Sequence, residues 1–140
     1  MNNNKEIIMK SVIHNGYGLR YASRSLKNDE DVVLAATITY WRAFQYASER
    51  LRDDLKFIFL VTSKNYKALQ YASERLRNNQ DVIFFGVTKN YKALQYASEI
   101  LRSDKDFILK IIAIKKNYKI LSYISYNLLN DKDVCASINF

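Results

Sequence analysis

The chain has 140 residues, a length that suits one domain and is short for two. Apolar residues make up 49% and charged ones 26%, which excludes a disordered polyelectrolyte, and the absence of proline with only three glycines disfavours a turn-rich all-β chain. Cys135 is the one cysteine and His14 the one histidine, so an internal disulfide and a histidine-based metal cluster are both excluded, and a reducing compartment is the natural setting.

Lys and Arg total 22 against 14 Asp and Glu, a formal charge of +8. That excess admits nucleic acid, an anionic membrane or an acidic protein as partner. A codon bias toward Lys, Asn, Ile and Tyr accounts for the same excess without any partner. The apolar run at the start, Ile7-Ile8-Met9, is too short for a secretory signal. The longest apolar stretches, residues 57–61 and 82–87, fall well below the ~18 residues of a spanning helix. A soluble cytoplasmic protein with no membrane partner is expected.

In chain order, the first predicted helix follows Glu6 and ends near His14. A segment containing Tyr21-Ala22-Ser23 comes next, at residues 16–27. An apolar helix after Asp31 (Val32-Val33-Leu34) leads to a second such segment at 41–52, and the run 57–61 leads to a third at 66–77. Asp81-Val82-Ile83-Phe84 precedes the fourth at 91–102, and Asp106-Phe107-Ile108-Leu109 the fifth at 118–129. The chain then returns to the first pattern at Asp133-Val134-Cys135-Ala136. Tyr21, Tyr46, Tyr71 and Tyr96 set a period of 25 residues; the fifth copy comes 27 residues on, with its two extra residues in the stretch 111–116.

Each half of the repeat reads as a helix of ~11 residues. Ala43, Phe44, Ala47, Ser48 and Leu51 share one helical face. Asp29, Asp54, Asn79, Asp104 and Asp131 stand where an N-cap belongs. Asn65, Asn90 and Asn117 either stop one helix in the left-handed conformation or cap the next. Helices this short are marginal alone and must stack. The expected fold is all-α: a compact α-solenoid of about five helix-hairpin repeats, with about eleven short helices in one helical-repeat domain spanning 1–140.

The pattern Ala-Leu-x-Tyr-Ala-Ser-x-x-Leu-Arg-x-Asp, followed by an apolar helix, resembles the short helical repeat family known as domain of unknown function 4116. The match runs over 43–54, 68–79 and 93–104, with looser copies at 19–29 and 121–131. The resemblance carries no catalytic residues to this chain. In that family the repeats often sit in longer chains; here they fill the whole sequence, which leaves binding rather than a fused catalytic neighbour as the expected role.

No catalytic constellation stands out, and no cofactor or metal is expected. Ser23, Ser48, Ser73, Ser98 and Ser125 recur in register, and a nucleophile does not come in five copies. Small side chains that admit close packing, or that bond back to a carbonyl one turn earlier, are the expectation there. Cys135 is expected to be a buried, inert thiol. His14 is expected to sit at a helix end. The paired acids Asp29 and Asp31, Asp53 and Asp54, Asp104 and Asp106 recur at helix starts, where they cap and complement the dipole.

One stripe is a candidate surface. Spaced four apart on the Tyr-Ala-Ser helices stand Arg42, Tyr46 and Arg50, then Lys67, Tyr71 and Arg75, then Lys92 and Tyr96. The basic group Lys115, Lys116 and Lys119 lies beside the insertion. Tyr and Arg anchor protein interfaces and also suit base stacking and phosphate contact. A repeated tyrosine also packs naturally on the next repeat.

The leading expectation is a non-enzymatic protein-binding module whose partner is acidic or nucleic-acid-associated. A small inhibitor that occludes a larger target fits this description, for example a phage-type anti-defence protein acting on a nucleic-acid-guided nuclease. The alternatives are direct RNA or DNA binding through the Tyr/Lys/Arg stripe, and a structural role in which apolar ends, marked by Ile138 and Phe140, stack end to end.

Overall fold

A computed structural model describes residues 2–138. Phe140 lies outside the described residues. Among those residues the chain forms ten α-helices and six 3-10 helices, with no strand longer than an isolated bridge. No described helix is long and apolar enough to cross a membrane. The chain divides into two compact units, 1–73 and 74–140.

In the first unit, α1 (Lys5–His14) leads into the 3-10 helix η1 (Gly16–Tyr21) and the single-turn α2 (Arg24–Lys27). The same triplet follows as α3 (Glu30–Thr39), η2 (Trp41–Tyr46) and α4 (Glu49–Arg52). Then come α5 (Leu55–Lys64) and η3 (Tyr66–Tyr71). The long helices pack α1 on α3 and α3 on α5, while η1 packs on η2 and η2 on η3. Val12, Leu19, Val33, Phe44, Leu51, Ile58 and Leu69 are wholly buried, and the Phe44 and Phe57 rings lie 6.1 Å apart.

The second unit holds α6 (Glu74–Arg77), α7 (Gln80–Lys89), η4 (Tyr91–Tyr96) and α8 (Glu99–Arg102). It continues through α9 (Lys105–Lys115), η5 (Tyr118–Tyr123), the short η6 (Tyr126–Leu128) and α10 (Lys132–Ile138). Here α7 packs on α9, α9 on α10, and η4 on η5.

The all-helical repeat is as the sequence predicts, but the Tyr-Ala-Ser half is not one helix. Its first six residues wind as a 3-10 helix, and the alanine after them is extended (Ala47, φ −63°, ψ 155°). The serine then starts a new α-helical turn. Ser48, Ser98 and Ser23 accept the backbone N–H of Leu51, Leu101 and Leu26 at 3.2–3.3 Å. These serines are N-caps rather than packing spacers or back-bonding hydroxyls, because an N-cap's extended backbone cannot continue the preceding helix.

The same serines join successive repeats. Ser48 N–H donates to the Lys27 carbonyl (2.8 Å) and its hydroxyl to Asn28 Oδ1 (2.6 Å). Ser73 does likewise to the Arg52 carbonyl and Asp53. In the second unit Ser98 bonds the Arg77 carbonyl (2.9 Å) and Asn78 Oδ1 (2.5 Å), and Ser125 bonds the Arg102 carbonyl and Glu99. Ser23 meets the same bonds from the N-terminal strip, donating to the Asn2 carbonyl and Asn3 Oδ1. Ser98→Ala removes both the cap and the hydroxyl bond. It is expected to cost about 1–2 kcal/mol in urea denaturation.

The predicted caps of the long helices are in place. Asp29, Asp54, Asn79, Asp104 and Asp131 accept from Val32, Phe57, Val82, Phe107 and Val134 N–H at 2.8–3.2 Å. At two of these caps a lysine adds an ion pair. Lys5 lies 2.9 Å from Asp29 and 3.4 Å from Asp31, and Lys105 lies 3.0 Å from Asp131 and 2.6 Å from Asp133. The hydrogen bond from Lys105, with those from the backbone, holds Asp131 below the ordinary carboxylate value of 3.8. A carboxylate depressed in the folded state stabilises above its unfolded pKa, and that contribution is lost as pH falls through the folded value. Lys105→Met is therefore expected to lower the thermal midpoint at pH 7. The gap to the native chain should close below about pH 4.

Candidate interaction surface

The 3-10 helices have a common design. Asn15, Asn65, Asn90 and Asn117 are extended, not left-handed, and each accepts the N–H two residues on, at 2.9–3.0 Å. Of the two roles open to Asn65, Asn90 and Asn117, they take that of capping the next helix. The one left-handed residue among the described non-glycines is Lys116 (φ 44°), which ends α9 and absorbs the two-residue insertion.

A 3-10 helix has three residues per turn, so positions i and i+3 are in line. The residues in line with the cations are therefore not the tyrosines four positions on. Arg42 is followed in register by Gln45, Lys67 by Gln70, Lys92 by Gln95 and Lys119 by Ser122, and all of these are exposed. Gln45 and Gln95 donate back to the carbonyls of Arg42 and Lys92 at 3.0 and 2.9 Å, which holds the ridge together. Arg50 and Arg75 lie on separate short helices, α4 and α6, beyond the extended alanine. Arg50 is turned to the preceding repeat, with Nε 2.8 Å from Asn28 Oδ1.

Two tyrosines of the stripe, Tyr46 and Tyr71, pack between repeats, as does Tyr123 at the matching position of the fifth copy. Tyr46 meets Tyr17 edge-on at 6.2 Å, and Tyr71 stacks on Trp41 at 5.9 Å. In the second unit Tyr123 lies 6.2 Å from Tyr91. Tyr46, Tyr71 and Tyr96 are half-buried. Cations border these rings: Arg42 lies 4.6 Å and Lys67 5.9 Å from the Trp41 ring, and Arg20 lies 5.8 Å from the Tyr17 ring. Each unit therefore presents rows of exposed cations and glutamines over rings fixed by their neighbours. Trp41, Tyr17, Arg20 and the glutamines escape the four-residue spacing, although the aromatic directly before each cation at 41–42, 66–67, 91–92 and 118–119 marks the row.

The charges are segregated along the repeat. Segments 10–21, 35–46, 60–71, 85–96 and 110–123 run from the end of each long helix through the 3-10 helix. They hold eleven of the 22 Lys and Arg and none of the 14 Asp and Glu. The acids collect at helix starts, and Lys64, Lys89 and Lys115 close the last turns of α5, α7 and α9. Each sign thus complements the helix macrodipole at its own end. The 3-10 cations then add to the positive edge of each unit. Of the group at the insertion, Lys115 Nζ donates to the Thr88 carbonyl (3.0 Å), while Lys116 and Lys119 are exposed.

His14 ends α1, as expected, and is exposed. Cys135 is not buried: it is exposed and in no disulfide, with its thiol donating to the Leu129 carbonyl (3.4 Å), because Val134 takes the inward position of α10 and the next residue turns outward by about 100°. Among the described residues no group of three or more His, Cys, Asp or Glu is placed to hold a metal ion.

A family model described as Domain of unknown function (DUF4116) matches residues 4–52, 54–102 and 79–128. The last two matches are displaced by one 25-residue repeat, so the model itself spans two repeats. No curated protein and no solved structure matches the chain.

Proposed function

Starting from the fact that the chain belongs to the DUF4116 family of helical repeats, we propose that it is a non-enzymatic binding module that docks an acidic protein surface through the basic, aromatic-backed edge of each unit. The observation that carries this reading is the exclusion of every Asp and Glu from the five edge segments, against eleven cations within them. A row of one sign steers an oppositely charged partner and sets the register of docking. The rings supply stiff apolar area beside the cations, the composition favoured at interface anchors. The ring-to-ring packing of Trp41, Tyr71, Tyr17, Tyr46, Tyr91 and Tyr123 favours a protein surface over nucleic acid, and the exposed rings of Tyr21 and Tyr118 in the same segments are where a base would have to stack. Stacking platforms for bases need open ring faces. The module works in the cytoplasm by occlusion, covering the acidic surface of a larger protein.

Affinity capture with the tagged chain, with and without nuclease treatment of the lysate, tests this reading. An acidic protein recovered in stoichiometric amount after nuclease treatment is the expected result. Recovery that vanishes with nuclease, together with affinity for bare RNA or DNA that falls steeply with salt, would replace it with direct nucleic-acid binding.

A further inference from the structure

The outward face of the first unit carries an apolar strip. Ile13 and Ile38 stand 25 residues apart, at the same place near the ends of α1 and α3, and are 54% and 56% exposed. Leu60 on α5, one turn nearer its helix start, is 41% exposed. The helices that carry them pack side by side, α1 on α3 and α3 on α5. The ends of the first two are also tied directly, because the Thr39 hydroxyl donates to the Val12 carbonyl at 2.8 Å. The next two copies have Ser63 and Thr88 where Ile13 and Ile38 stand, so the repeat accepts a small polar residue at this place. Apolar side chains scattered singly on a surface are ordinary, but neighbours in register form a patch of the kind that marks a contact site.

The charge beside the strip is of one sign. Segments 10–14, 35–39 and 60–64 contain Lys10, Lys64 and no acid. Lys10 lies 3.4 Å from Glu6, while Lys64 is exposed in the last turn of α5. The 3-10 helices that follow directly add Arg20, Arg42 and Lys67, all exposed. Acids return only at the starts of the long helices: Glu6 and Asp31 stand seven residues before Ile13 and Ile38, about 10 Å along the helix. Glu30 and Asp54 line a pocket with Lys56, Phe57 and Leu60, and mark where the strip stops. An occupant must therefore bring apolar side chains and negative charge together, which disfavours a second copy of this chain, whose matching face is basic. The spacing selects its form. Packed helices lie about 8–10 Å apart, and an amphipathic helix presents the same face again after seven residues, about 10.5 Å. A strand repeats its face every two residues, about 7 Å, and falls out of step. A helix laid across α1, α3 and α5 sets apolar side chains on Ile13, Ile38 and Leu60 and turns acidic flanks toward Lys64 and the 3-10 cations.

We propose that this strip receives an acidic amphipathic helix of the partner protein. The proposal rests on the reading of an acidic partner and names the element through which that partner docks. The test is a titration of the 140-residue chain with two helical peptides of about 15 residues, followed by methyl NMR. One peptide has leucine at i, i+3, i+4 and i+7 with glutamate and alanine elsewhere; the other has alanine for every leucine and the same charge. The leucine peptide is expected to shift the Ile13, Ile38 and Leu60 methyls and to bind at least tenfold more tightly than the alanine peptide. Ile13→Ser with Ile38→Ser, which installs the residue found at 63, is expected to weaken the leucine peptide at least tenfold while circular dichroism keeps its native helix signal. Ile13→Ala with Ile38→Ala serves as the second variant if serine loosens the helix ends. Unchanged affinity in both double variants overturns the proposal. Equal binding of the two peptides, both lost in Lys64→Glu with Lys67→Glu, also overturns it and leaves the acidic-partner reading standing. If neither peptide binds, and vesicles of phosphatidylserine and phosphatidylcholine retain the chain, the strip belongs to an anionic membrane and the proposal falls.

Discussion

Lys67→Glu combined with Lys92→Glu is expected to weaken capture of the protein partner by 100-fold or more while leaving the fold intact. Both side chains are exposed and stand at the second position of their 3-10 helices, η3 and η4, where the capping bonds to Asn65 and Asn90 and the bond from Gln95 to the Lys92 carbonyl use the backbone, which the exchange keeps; the Lys67 ammonium gives up its place 5.9 Å from the Trp41 ring. Helical content and the unfolding free energy should therefore stay within about 0.5 kcal/mol of the native chain. Each reversal places a carboxylate in an edge segment that has none, so the variant meets an acidic partner with like charge at one position in each unit. Like charges across an interface cost several kcal/mol, against a tenfold change for every 1.4. Binding isotherms of both proteins at one salt concentration check the prediction. An equal loss from Lys56→Glu with Lys132→Glu would show that net charge, not the edge, is what the partner senses.

Gly16→Ala is expected to destabilise the first unit by about 3 kcal/mol, near the top of the range for overpacking. A Cβ at this position stands 2.0 Å from the Ala36 carbonyl oxygen, 2.8 Å from its carbon and 2.9 Å from Thr39 Oγ1. The obstacle is backbone. That carbonyl also accepts the Tyr40 N–H at 2.9 Å and the Thr39 hydroxyl at 3.2 Å, so it cannot retreat without loosening the end of α3. Gly18→Ala makes the control. Its Cβ meets Ser11 Oγ at 2.4 Å, an exposed side chain with other rotamers, and Ala43, Ala68 and Ala93 fill the same place in later repeats. The control is expected to cost under 1 kcal/mol. Urea denaturation of the two variants side by side decides the matter.

The repeat, its period and the caps of its long helices are legible in the sequence because each rests on local chemistry. Asp29 and Asp54 are acids three residues before the apolar runs that begin at Val32 and Phe57, and they cap as that pattern requires. The break in the Tyr-Ala-Ser half is harder to read. Ala43, Phe44, Ala47 and Leu51 are all buried, and their spacing suits a continuous α-helix as well as a 3-10 turn followed by a new start. The signal that separates the two is Ser48-Glu49, repeated at 73–74 and 98–99: a capping residue followed by an acid in the first turn. Read as a helix start, it fixes the period of the preceding segment at three and pairs Lys67 with Gln70 rather than with Tyr71. The cations of the surface are legible from charge alone. The role of Tyr71 is not, because stacking on Trp41, 30 residues earlier, depends on how repeats lie on one another. Cys135 fails for a related reason: the pattern marks α10 as apolar but not which of two neighbouring residues faces inward.

The most direct test of the proposed interface is lysine labelling of the chain, free and in complex with its captured partner, read by peptide mass spectrometry. Lys64, Lys67, Lys89, Lys92 and Lys119 lie in the acid-free segments, whereas Lys56 and Lys132 lie at the acid-rich starts of α5 and α10. The account predicts that the first group is shielded at least fivefold in the complex and that Lys56 and Lys132 react at their free rates. Shielding of Lys56 and Lys132, with Lys67 and Lys92 labelled as in the free chain, would contradict it.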